Sequence, residues 1–140
     1  MIDSFTGEYR FLSNFYPCEI TIDGVTCPSL EHAYQVTKTN DPTEKFTIAS
    51  ATTPGKAKRM GQKVHLRSDW EQVKVQIMTV LVRQKFGQNR DLRQKLLDTG
   101  DEELVEGNRW GDRYWGISGG SGQNWLGRIL MQVRGELRPV

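Results

Sequence analysis

Cysteine and histidine are scarce in this chain, with two of each among 140 residues. Two cysteines build no disulfide framework, and no second His or Cys stands at ligand spacing from His32, so neither a metal nor a cofactor is called for. Long apolar runs are also missing. The longest, Ile77 to Val82, is interrupted by Thr79 and is far too short to span a bilayer, and no membrane partner is expected. The first residues, Met1-Ile-Asp-Ser-Phe5, show neither the basic start nor the apolar stretch of a secretory leader, and a soluble, cytoplasmic protein is expected. A charge excess is lacking as well: 19 Lys and Arg face 17 Asp and Glu, a net +2 that is too small to argue for a stand-alone nucleic-acid binder. Repeats, low-complexity tracts and linkers are absent, so residues 1–140 read as a single domain around one core. A hydrophobic share of 36% and a charged share of 26% are ordinary for such a domain.

What is present reads as a helix-rich α+β domain with a small hairpin near its start. Ile20-Thr-Ile22, Asp23-Gly24 and Val25-Thr-Cys27 carry a two-residue hairpin signal. That register pairs Ile22 with Val25 and Ile20 with Cys27 on one apolar face, making Cys27 a buried thiol. A further strand is expected near Glu8 to Phe11, and another is possible at 103–107. Pro28-Ser29 opens a helix to about Thr39. Asp41-Pro42 and Thr53-Pro54 each read as an N-cap followed by proline at the first helical position. Ser68-Asp-Trp-Glu71 fits a capping box for a helix to about Phe86, with Trp70, Val73, Ile77 and Leu81 as its core stripe. Asn89 to Asp98 forms another helix, stopped by Gly100. A last helix runs from about Asn124 to Leu137, with Leu126, Ile129, Leu130 and Val133 inward.

The densest chemistry lies at residues 105–116. Three large aromatics, three glycines, two acids and two arginines share a dozen positions with no apolar period. Glu106, Asn108, Trp110 and Asp112 fall at every second residue, so an extended chain would point all four to one side, as a pocket wall would. The plain alternative is a glycine-rich surface loop whose tryptophans tuck into the core.

Three other segments invite a functional reading. On the helix at 30–38, Glu31, Tyr34, Gln35 and Lys38 fall at i, i+3, i+4 and i+7, giving one almost wholly polar face. A solvated face is the plain reading. The sharper one places a carboxylate and an amine about 10 Å apart along the axis, bracketing a single substrate bond. His32 reads as a satisfied, partly buried side chain. In the second segment, five basic side chains between Lys56 and Arg67 suit either a solvated face or a phosphate site. In the third, Gly119 to Gly127 feeds a glycine-rich loop into a helix N-terminus, where free N–H groups attract anions.

Taken in order, these segments resemble the NADAR (YbiA-like) family across nearly the whole chain. The likeness rests on Phe11-Leu-Ser-Asn-Phe-Tyr-Pro17, Ser29-Leu-Glu-His-Ala-Tyr-Gln-Val-Thr-Lys38 and Pro54-Gly-Lys-Ala-Lys-Arg-Met-Gly61. It continues through Leu66-Arg-Ser-Asp-Trp70 with Lys74, Lys85-Phe86, Trp110 to Gly116, Gly122-Gln-Asn-Trp-Leu-Gly127 and Ile129-Leu-Met131. The resemblance implies hydrolysis of N-glycosidic bonds between ribose and a nitrogenous base. The expected substrate is ADP-ribosylated guanine in DNA or RNA, or a related phosphoribosylated base. Two alternatives stand: an N-glycosidase of riboflavin biosynthesis intermediates, or a non-catalytic module binding ADP-ribose or NAD. A nucleic-acid binding domain using residues 56–67 is a third, disfavoured by the weak net charge.

Carried over by position, the resemblance assigns Glu31 and Lys38 to catalysis. It assigns Asn14, Gln35, Trp70, Asp112, Trp115 and Asn124 to binding, and Trp110 is a second candidate to stack on the base. Breaking the bond from C1′ to nitrogen leaves positive charge on the sugar and negative charge on the base. Glu31 would serve as acid and base, and a neutral Lys38 would trap the opened sugar as a Schiff base. That requires a lowered lysine pKa, from burial or from Lys58 and Arg59. Lys58, Arg59 and the loop at 119–124 would hold phosphate. Some glycosidase members carry an acid just after the Trp-Gly pair, where this chain has Ile117, and Asp112 is the nearby substitute.

Overall fold

The hairpin forms in the expected register. In the computed structural model, which describes residues 1–140, β1 (Pro17–Ile22) pairs antiparallel with β2 (Val25–Ser29). Ile20 faces Cys27 and Ile22 faces Val25 across the Asp23-Gly24 turn. Asp23 and Gly24 both have positive φ, the twist that a tight two-residue hairpin needs. Ile20 and Cys27 are buried, and burial pushes the Cys27 thiol up to about 11.

The chain folds as two compact units. One, the central unit, is Asn14–Lys85; the other, the terminal unit, joins Met1–Ser13 to Phe86–Val140. The crossing between Lys85 and Phe86 falls inside a helix, so no Gly, Pro or polar linker marks it in the sequence.

The central unit holds the hairpin, α1 (Leu30–Val36), α2 (Pro42–Ala49), α3 (Pro54–Gly61) and most of α4 (Trp70–Gly87). The caps do what the sequence asks: Asp41 Oδ1 accepts the N–H of Thr43, and Thr53 Oγ1 accepts that of Lys56. Leu30, Ala33, Val36, Ile48, Ala57, Leu81 and Val82 are buried, each large one contributing roughly 1.5–3 kcal/mol. The core stripe of α4 differs from expectation. Val73 and Ile77 are only half-buried, whereas Met78, Leu81, Val82, Lys85 and Phe86 are buried. Those positions hold helical spacing too, and a lysine among them hid the stripe.

The terminal unit contains a 3-10 helix at Gly7–Leu12, α5 (Arg90–Asp98), β3 (Gly107–Asn108), β4 (Ile117–Ser118) and α6 (Trp125–Leu137). The expected strand at Glu8 to Phe11 is therefore helical. The reason is that Phe11 and the adjacent Leu12 are both buried, whereas neighbouring strand residues point to opposite faces. Leu104 bridges Ile2, and β3 pairs with β4 in parallel, Gly107 opposite Ile117. Phe11 meets Phe86 edge-on at 6.5 Å, and Leu126, Ile129, Leu130 and Val133 line the inner side of α6 as expected. No helix is long and apolar enough to cross a membrane.

Candidate functional site

Every residue of α1 is buried, including its polar face. That excludes the solvated-face reading, because a helix buried all round has no side left for water. Its first turn is closed off by polar partners. The Ser29 side chain accepts the N–H of His32 at 3.1 Å, and the carbonyl of Asn14 accepts that of Glu31 at 3.0 Å. His32 Nε2 lies 2.9 Å from the carbonyl of Ala51, which can only accept, so Nε2 carries the proton and the Ser29 hydroxyl donates to Nδ1 at 2.7 Å. His32 is thus a satisfied structural histidine, now fully buried.

Glu31, Tyr34 and Gln35 are 8%, 6% and 3% exposed. Gln35 Nε2 donates to Glu31 Oε2 at 2.5 Å. Lys38 lies just past the helix, on a tightened turn in which its N–H donates to the carbonyl of Gln35 at 3.1 Å. Its own carbonyl accepts the N–H of Arg67 at 2.8 Å, and the Arg67 guanidinium grips Asp69 through two hydrogen bonds of 2.6 and 3.0 Å. The segment before α4 thereby clamps the backbone that carries Lys38.

The Lys38 amine sits 5.7 Å from the centre of the Tyr34 ring and 5.9 Å from that of Trp70. Those rings lie 5.2 Å apart at 55°. Burial holds the Lys38 amine below the ordinary lysine range; Glu31 opposes the shift, and Lys58 and Lys74 add to it. Lys74 is paired with Glu71 at 2.6 Å. Lys58 is half-buried on α3, while Arg59 is exposed. Asn14 is half-buried, with Nδ2 3.6 Å from Met78 Sδ. The central unit therefore brings Glu31, Gln35, Lys38 and Trp70 together, with Lys58 close enough to act on Lys38.

The stretch at 105–116 is organised differently. Glu106 and Asn108 do share a side, since Asn108 Nδ2 donates to Glu106 Oε2 and to the carbonyl of Asp112, both at 2.9 Å. Asp112 Oδ1 accepts the N–H groups of Tyr114 and Trp115 at 3.0 and 2.9 Å. The acids and amide thus brace their own loop. Trp110 is 65% exposed, and Trp115 is half-buried against Tyr114. Ile117 is half-buried in β4.

Asn124 is buried in the left-handed region, φ +53°, with both ends of its amide on the backbone. Oδ1 accepts the N–H of Glu106 at 2.9 Å, and Nδ2 donates to the carbonyl of Leu104 at 3.0 Å. A Cβ on Gly127 would lie 2.1 Å from that same Leu104 carbonyl, so only glycine fits there. At the start of α6, four of the N–H groups expected to attract an anion are already taken. The N–H groups of Gln123, Asn124, Trp125 and Leu126 donate to the carbonyls of Arg113, Gly116, Tyr114 and Trp115. Donors spent on backbone carbonyls cannot receive a phosphate.

Three features carry little signal in the sequence. Tyr34 helps enclose the Lys38 amine, a role its place on the polar face could have suggested. Lys85 is fully buried near the Tyr16 ring, its amine driven down to about 7 by burial; its signal was a lysine in register with Leu81 and Met78. Asp41, Glu44 and His65 bring ligand atoms within 4.8 Å of one another, but Asp41 caps α2 and Glu44 holds Thr39 and His65.

Comparison with known proteins places this geometry in a lineage. The family model described as the NADAR domain matches residues 3–138. The chain belongs to the NADAR family. Over 137 residues this NADAR domain is 40% identical to N-glycosidase YbiA of Escherichia coli, covering 96% of the chain and 85% of that relative. An N-glycosidase of Nostoc punctiforme is 41% identical over 136 residues, covering 93% and 86%. A riboflavin biosynthesis protein of Vibrio vulnificus is 44% identical over 134 residues; the match takes in 94% of this chain but only 36% of that longer protein. The NMR structure of Escherichia coli YbiA superposes with a TM-score of 0.84 at 39% identity, covering 98% of this chain and 84% of that one. The NADAR domain described here thus shares the fold of that protein.

Proposed function

We propose that this NADAR domain is an N-glycosidase hydrolysing the bond between C1′ of a ribose and the nitrogen of a base. The observation that carries the reading is the pairing of a buried carboxylate on α1 with a half-buried lysine just past the end of that helix, held below its ordinary basicity. The names of the Escherichia coli and Nostoc relatives support it. In the proposed reaction the neutral Lys38 amine attacks C1′ as the bond to the base breaks. Ionised Glu31 takes the proton released from the attacking nitrogen and passes it to the departing base, and the remaining N–H proton goes to the ring oxygen as the ring opens. The sugar ring opens to an imine on Lys38, and water hydrolyses that imine, restoring the amine and releasing the free sugar. The Tyr34 and Trp70 rings keep the amine partly out of water, which favours its neutral form.

The substrate we propose is ADP-ribosylated guanine in nucleic acid, with Lys58 and Arg59 meeting phosphate and Asn14 meeting a polar group of the substrate. A second reading, a phosphoribosylated pyrimidine of riboflavin synthesis, is favoured by the name of the Vibrio relative. Free base measured side by side on the two substrates separates them, and tight binding without release would make the domain a reader of ADP-ribose. Borohydride added during turnover should fix ribose on Lys38; turnover with no adduct on any lysine eliminates the imine step.

A further inference from the structure

Gln35 is fixed in an arrangement that costs the fold at two points. Its Oε1 is sealed from solvent and has no hydrogen-bond partner. A buried carbonyl without a donor is destabilising, and a leucine or methionine would fill the same space without that cost. Gly61, in the last turn of α3, faces this oxygen. A Cβ there would fall 1.8 Å from Gln35 Oε1, 2.6 Å from Cδ and 3.2 Å from Cβ. Gly61 has no left-handed φ that would require glycine, and glycine inside a helix is itself unfavourable against alanine. The contact therefore combines a helical glycine with an orphaned amide oxygen. Both hold one group, the Gln35 Nε2 that donates to Glu31 Oε2 at 2.5 Å. An ionised carboxylate only accepts, which fixes the nitrogen toward Glu31 and the oxygen toward Gly61.

We infer that Gln35 and Gly61 are positioning residues for Glu31: the bare Gly61 backbone seats the amide, and the amide sets the rotamer and favours the ionised form of the carboxylate. Gln35 then acts through Glu31 rather than by touching substrate, since both ends of its amide are enclosed. This inference rests on the role proposed for Glu31 and adds that its geometry depends on a neighbouring helix carrying no side chain at one position.

The test is a double-mutant cycle read by activity, pH profile and thermal unfolding. Gly61→Ala should lower kcat by on the order of tenfold to a hundredfold, with KM nearly unchanged, because a small displacement of a reacting group suffices for such a loss. Gln35→Ala should lower kcat similarly and move upward the more acidic of the two rising limbs, that of Glu31 ionisation, leaving the Lys38 limb in place, since a donor to the carboxylate is gone. In the Gln35→Ala background the clashes with Oε1 and Cδ are gone and only the 3.2 Å approach to Cβ remains, so Gly61→Ala should cost little further in rate. Additive losses in the double variant, or an acidic limb unmoved by Gln35→Ala, overturn the inference even if Gly61→Ala alone does not fold. Native activity in Glu31→Gln would instead remove the underlying reading, whatever the cycle shows.

Discussion

Two polar-rich regions of this NADAR domain, the α1 helix with Lys38 and the loop at 105–116, use the same kinds of groups for opposite purposes. In the loop, Asn108 and Asp112 spend their side chains on holding nearby backbone and one another. In α1, Glu31 and Gln35 are tied together under cover, one amide oxygen is left without a partner, and a lysine is held below its ordinary basicity. The loop is a scaffold because its polar groups satisfy the irregular backbone they sit on. The helix needs no such help from Glu31 or Gln35, since its first-turn N–H groups are taken by Ser29 and the Asn14 carbonyl, and those two buried polar side chains therefore call for another explanation. Density of polar residues in sequence is thus a poorer guide to chemistry than polar groups buried on an element that does not need them.

Substitutions in the two regions should separate accordingly. Glu31→Gln is expected to lose 10²–10⁴-fold in kcat, roughly the worth of a positioned acid or base, with thermal unfolding little changed. A loss of stability that tracks the loss of rate would erase the contrast. Asn124→Ala should do the reverse. It removes two hydrogen bonds to buried backbone and forces alanine into a left-handed conformation, for about 2–4 kcal/mol in denaturant unfolding. Asp112→Ala deletes an acceptor that serves two N–H groups and should cost about 1 kcal/mol, comparable to a lost helix cap. A rate effect far beyond that stability loss would return Asp112 to the binding residues. The smallest effect is a shift in pH. Neutral Lys38 is the proposed reacting form, so the rate should rise as pH passes its pKa. Lys58→Met removes a positive charge that lowers that pKa, and the rising limb should move to higher pH, reducing the rate near neutrality. An unmoved limb would detach Lys58 from Lys38.

Much of the fold was legible because its signals are local. The Asp23-Gly24 turn, the Asp41-Pro42 and Thr53-Pro54 caps and the inner face of α6 depend on neighbouring residues, and the structure reproduces each. The stripe on α4 and the strand expected at Glu8 to Phe11 were misread for a shared reason. Lys85 among apolar residues and two adjacent buried residues at Phe11 and Leu12 break the simple periodicities, and only burial reveals which side faces inward. The boundary between the two units was hidden inside a regular helix.

The sequence by itself determined the hairpin register, the helix caps and the family, and the family likeness in turn suggested Glu31 and Lys38 as the residues to propose. Those follow from spacing along the chain and from motifs that lie unbroken in it. Only the tertiary structure decided whether each polar group is spent or held ready. A hydrogen-bond partner or a burial cost comes from residues distant in sequence: Gly61 against Gln35, Trp70 beside Lys38, Leu104 beneath Asn124. Spacing along one element cannot report what packs against it, and that packing sets the electrostatics on which the chemistry depends.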